Sequence, residues 1–96
     1  MERKAVLKVP NGKLLKITAD IDETVLVSVQ ITGDFFVYPE ESILQLEQLL
    51  RYQPLEKDLL LYMIDAFFKQ NSVELFGVTA EAISDAIMQC PSQEKR

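Results

Sequence analysis

The chain carries fifteen carboxylates, ten lysines and arginines, one cysteine and no histidine. That inventory restricts the chemistry it can perform alone. Histidine is the side chain whose unperturbed pKa lies between about 5 and 8, so general acid–base work at neutral pH has no ready agent here. A shifted Asp, Glu or Lys would need a specific pocket, which the sequence does not advertise. His/Cys metal clusters are excluded by count, and a lone Cys90 permits no intrachain disulfide and gives no sign of secretion. Cys90 also lacks a basic neighbour in sequence, so a reactive thiolate is not expected. The phosphate-binding GxxxxGK[ST] loop, the dinucleotide GxGxxG turn and the GxSxG elbow are all missing. No catalytic or metal-ligating residue is assigned to this chain.

Two places still invite a functional reading. In ITGDFFVYPEE, residues 31–41, Asp34 follows Gly33 at a strand end, where a carboxylate can be catalytic. The simpler reading is structural, with a short carboxylate accepting backbone N–H groups at a turn and glycine supplying the permissive backbone. Phe35 and Phe36 point to opposite sides if the strand continues through them. One then fills the core, and the other faces outward with Tyr38 as an interface anchor. Lys13, after Asn11-Gly12, can reach a ligand or partner, although a lysine there is commonly a solvated hairpin residue. Gly33, Asp34, Phe35, Phe36 and Tyr38 are therefore the candidate partner-binding or conformational residues, with Lys13 as a possible contact.

These residues need a framework. Ninety-six residues make one domain, with an ordered core over about 3–90 and no repeat or linker. A net charge of −5 disfavours nucleic acid and anionic lipid, whose phosphates demand a basic patch. The N-terminus lacks the apolar run of a signal peptide, and LLLYMI at 59–64 is far too short for a membrane span. A cytoplasmic protein is the default.

Residues 3–9 and 13–19 alternate as strands around Pro10-Asn11-Gly12-Lys13, a hairpin signal. The second strand places Leu15, Ile17 and Ala19 inward, and Asp20 to Glu23 read as a polar turn. Residues 24–32 place Val25, Val27, Val29 and Ile31 on one face. Pro39, Glu40 and Glu41 suit a first helical turn, with Ile43, Leu46 and Leu50 forming an apolar face to about Tyr52. Gln53-Pro54 break this helix, and a second fits 55–70. Between Leu59 and Phe68 only Asp65 is charged, so that helix lies between the sheet and another helix, or Tyr62 or Phe68 is covered by a second protein. Val73 to Phe76 read as a short extended piece. Thr79 then caps a last helix running to about Cys90, where Pro91 ends it. The predicted class is α+β, a three-stranded antiparallel meander packed against about three helices.

In this order and spacing the motifs resemble the accessory, C-terminal domain of lipoate–protein ligases. The likeness rests on Gly12-Lys13-Leu14 in the hairpin, Gly33-Asp34-Phe35-Phe36 before Pro39-Glu40-Glu41, and Gly77-Val78-Thr79 opening the last helix. It covers residues 3–90. The turn departs from the family in reading Pro-Asn-Gly-Lys where a second glycine is common, a harmless change for a type I′ turn. In many members the domain is the tail of a longer chain, whereas here it begins at Met1, so the resemblance implies a two-chain ligase with this chain as small subunit.

It further implies that ATP, magnesium and lipoate sit on the large catalytic subunit, with no cofactor bound by this chain alone. The implied reaction forms lipoyl-adenylate and then lipoylates a lysine on an acceptor domain of 2-oxoacid dehydrogenase or glycine-cleavage proteins. This chain would support adenylation and be inert alone. The family fold is similar to that of SufE/NifU-type proteins. A SufE/NifU-like scaffold or sulfur-carrier protein and an unrelated protein-interaction module are the alternatives.

Overall fold

Leu15, Ile17, Ala19 and Ile21 are all buried, and Leu14, Lys16 and Asp22 on the opposite face are exposed, as strict alternation requires. They belong to β2 (Leu14–Asp22), the second strand of the sheet, in which Leu14 and Asp22 are the end residues and Thr18 and Asp20 are half-buried. The computed structural model describes the backbone of residues 2–8 and 14–93 and the side chains of residues 14–90. The Asn11-Gly12 turn and Lys13 lie outside the described residues.

β1 (Glu2–Lys8) runs antiparallel to β2, from Glu2 opposite Asp20 to Lys8 opposite Leu14. On the other side β3 (Val25–Gly33) pairs Leu15 with Gly33, Ile17 with Ile31 and Ala19 with Val29. The expected meander is therefore present, with two local corrections. Residues 20–22 are strand rather than turn; Ile21 is buried, and only Glu23 and Thr24 make the turn. The inward face of β3 also changes partway along. Asp20 opposes Ser28, but Ile21 opposes Leu26, so an extra residue is accommodated at the Ser28–Val27 step. This β-bulge turns Leu26 into the core and leaves Val25 and Val27 only partly buried, against the expected Val25–Val27–Val29–Ile31 face.

A fourth, two-residue strand, β5 (Gln53–Pro54), pairs with Val25 and Leu26 and extends the sheet to the order β1-β2-β3-β5. The Gln53-Pro54 helix break is thus also a sheet edge, a position a proline tolerates. Leu55 N–H and Tyr52 N–H donate to Thr24 O and Leu26 O, both at 2.7 Å, and fix this crossing.

The helices are α1 (Ser42–Leu49), α2 (Lys57–Gln70) and α3 (Ala80–Gln93). Helix α1 starts later than expected: Pro39 O accepts Ser42 N–H at 3.1 Å, so Pro39, Glu40 and Glu41 form a turn ahead of the helix. Thr79 Oγ1 accepts Ala82 N–H at 3.0 Å, the expected N-cap of α3. That helix continues through Pro91 to Gln93, past the expected stop at the proline.

The third helix, rather than the second, is central. It packs on β1 and β2 through a face that includes the fully buried Ile83, Ala86, Ile87 and Cys90. Helix α2 lies alongside α3 and buries Leu60, Ile64 and Phe68. Each such side chain contributes about 1.5–3 kcal/mol of burial. Lys57 Nζ meets Asp85 Oδ1 at 2.9 Å and joins the two helices at the surface. Phe68 is thus core, while Tyr62 is 71% exposed.

Candidate docking site

The end of β3 is shaped by backbone contact. Gly33 has φ +150°, and a Cβ there would lie 2.2 Å from Leu14 O. No other residue type fits without moving the neighbouring strand. Asp34 N–H then donates to Leu14 O at 2.8 Å, adding one rung beyond the β2–β3 ladder. The structural role of Asp34 therefore runs through its own backbone. Its carboxylate is exposed and makes no hydrogen bond or ion pair among the described residues, contrary to the expectation that it accepts turn N–H groups.

After this rung the chain enters β4 (Phe36–Tyr38), which pairs antiparallel with β6 (Glu74–Phe76), the extended piece expected at 73–76. The register sets Phe36 opposite Phe76, Val37 opposite Leu75 and Tyr38 opposite Glu74. Opposed residues share a face, so the ribbon has two sides. Val37 is 4% exposed and points inward. Phe36 (62%), Phe76 (48%) and Tyr38 (67%) are on the open side. Phe35 is half-buried and packs against the core. The expected split of the two phenylalanines is thus Phe35 inward and Phe36 outward.

Phe36 and Phe76 meet edge to face, ring centroids 5.2 Å apart at 67°. With Asp34, Phe35 and Gly77 they line an open groove of about 360 Å³. Phe76 and Glu74 escaped sequence reasoning. The alternation Glu74-Leu75-Phe76 complements Phe36-Val37-Tyr38, but only pairing makes that visible.

Among the described residues no group of three or more His, Cys, Asp or Glu side chains converges to hold a metal ion. Cys90 is fully buried, burial pushes its thiol up to about 11, and its Sγ lies 3.6 Å from Ala86 O. A thiol so placed is inert, which weighs against the sulfur-carrier alternative. Among the described residues no helix is long and apolar enough to cross a membrane.

Fold and groove together define an α+β domain that presents an exposed aromatic ribbon. Comparison with known proteins supplies its family. No protein-family model matches the chain. Lipoate-protein ligase A subunit 2 of Thermoplasma acidophilum is 43% identical over 44 residues, 46% of this chain and 47% of that protein, so the aligned stretch spans about half of that relative. A chain from the solved structure of a bipartite lipoate protein ligase and its E2 lipoyl domain, from the same organism, matches with a TM-score of 0.79 and 33% identity. The match covers 91% of this chain and 94% of that one. The chain belongs to the family of small lipoate–protein ligase subunits.

Proposed function

We propose that this chain is the small, non-catalytic subunit of a two-chain lipoate–protein ligase. It binds a large catalytic subunit that carries ATP, magnesium and lipoate. There the lipoate carboxylate attacks the α-phosphorus of ATP, pyrophosphate leaves, and lipoyl-adenylate forms. A lysine amine of an acceptor domain then displaces AMP and becomes the lipoyl amide. Acceptor domains of 2-oxoacid dehydrogenase and glycine-cleavage proteins fit this step, and an ATP-dependent reaction suits the cytoplasm. The observation that carries this reading is the end-to-end likeness to a chain of a bipartite ligase.

The contribution of this chain is conformational. Gly33 and Asp34 shape the corner, and Phe36 and Tyr38 meet the large subunit, so that docking favours the adenylation-competent arrangement of its active-site loops. Lipoate-dependent ATP–pyrophosphate exchange by the large subunit, measured with and without this chain, tests the proposal. Stimulation is expected, and equal rates overturn it.

A further inference from the structure

The groove between β4 and β6 has a polarity that narrows what can cover it. Its walls are the rings of Phe35, Phe36 and Phe76, and Asp34 stands on the same lining. Glu74 projects on the outward side beside Tyr38, and Glu40 and Glu41 follow as exposed residues. Residues 33–50 and 70–94, which supply both strands and their surroundings in sequence, contain no lysine or arginine. The ion pairs among the described residues are Lys57–Asp85 and Lys69–Asp65, and neither Asp34 nor Glu74 has a cation among the described residues.

We propose that this groove receives a basic side chain, arginine or lysine, from the large ligase subunit. The aliphatic stem lies on the Phe36 and Phe76 rings, and the cation sits against the Asp34 carboxylate. This rests on the docking reading above and gives its contact a chemistry. A protein surface that covers the groove removes water from Asp34, and a desolvated carboxylate without a counter-charge is costly. An apolar anchor would leave that cost unanswered, and an acidic one would add repulsion. A cation answers it and is also drawn to the aromatic faces. Arginine does both best, stacking on rings while pairing with a carboxylate. The acidic rim then speeds encounter with a basic partner surface.

The test is titration of the full chain with its cognate large subunit at 50 and 500 mM NaCl, by calorimetry. Affinity should fall about tenfold or more at the higher salt. Asp34→Asn should weaken binding about fivefold at low salt, and Asp34→Asn with Glu74→Gln should flatten the salt dependence. Both positions are exposed, so the variants should fold, and circular dichroism spectra matching the parent's are the control. Salt-independent binding with Asp34→Asn equal to the parent overturns the basic anchor and leaves docking intact. Full-strength binding by a folded Phe36→Ser variant, or no complex with the parent chain at either salt, removes the docking reading and this inference together.

Discussion

The Glu47 carboxylate accepts the backbone N–H of Ile31 at 2.7 Å, so a helix side chain stands where a neighbouring strand's carbonyl would pair. β3 has β5 beside it only at Val25 and Leu26, and α1 packs against its remaining edge. An open strand edge is a template for unwanted pairing. Glu47 occupies part of that edge immediately before the Gly33 corner, and so steadies the point from which the aromatic ribbon departs.

Burial raises the Glu47 pKa above its ordinary value of 4.5, and the bond from Ile31 N–H only partly offsets this. The folded chain therefore holds the proton to a higher pH than the unfolded chain. The stability linked to this group is complete below 4.5 and is lost as pH rises through the raised folded value. Glu47→Gln keeps an acceptor oxygen without the charge. At pH 7 it should match the parent or exceed it by about 0.5 kcal/mol at most, because partial exposure screens the effect. That advantage should disappear in urea denaturation below pH 4.5. Glu47→Ala loses the acceptor and should cost about 1 kcal/mol at neutral pH.

Gly33→Ala tests the corner. Its Cβ would meet Leu14 O at 2.2 Å with φ at +150°, so the two strands must separate. A loss of about 2–3 kcal/mol is expected, lowering Tm by about 8–24 °C for a domain of this size. A thermal midpoint within about 2 °C of the parent would show that the corner tolerates a side chain.

Phe35 and Phe36 should behave oppositely although they are adjacent. Phe36→Ser, on the exposed side of the ribbon, should cost about 1 kcal/mol or less, while complex formation with the large subunit falls sharply. Phe35→Ser, which packs against the core, should cost about 2–4 kcal/mol by chemical denaturation. Equal stability losses in the two variants would contradict the inward–outward split.

Cys90 should be silent. With the thiol pushed up to about 11, only about one molecule in ten thousand holds a thiolate at neutral pH, and that sulfur is enclosed. Labelling by a chromogenic disulfide reagent should therefore follow the unfolding rate, and become rapid in denaturant. Fast stoichiometric labelling of the native chain would reopen the sulfur-carrier alternative.

Much of the fold is legible in the chain because it rests on short-range periodicity. The Leu15-Ile17-Ala19 stripe, the Thr79 cap and the Ile83-Ala86-Ile87-Cys90 face each follow from local spacing, which also sends Phe35 and Phe36 to opposite sides, although the corner they occupy leads into β4 rather than directly into a helix. The missing histidine set limits on chemistry by composition alone. Other features depend on which segments meet. The bulge at Ser28–Val27 exists because β3 must follow β2 and still bury Leu26. α3 rather than α2 takes the place on the sheet against β1 and β2, a choice of partner that the apolar pattern of either helix leaves open. Above all, Phe76 and Glu74 reach Phe36 and Tyr38 only through strand pairing between distant parts of the chain. Local spacing records which way a side chain faces, but which side chain it meets across the ribbon is settled only by long-range packing.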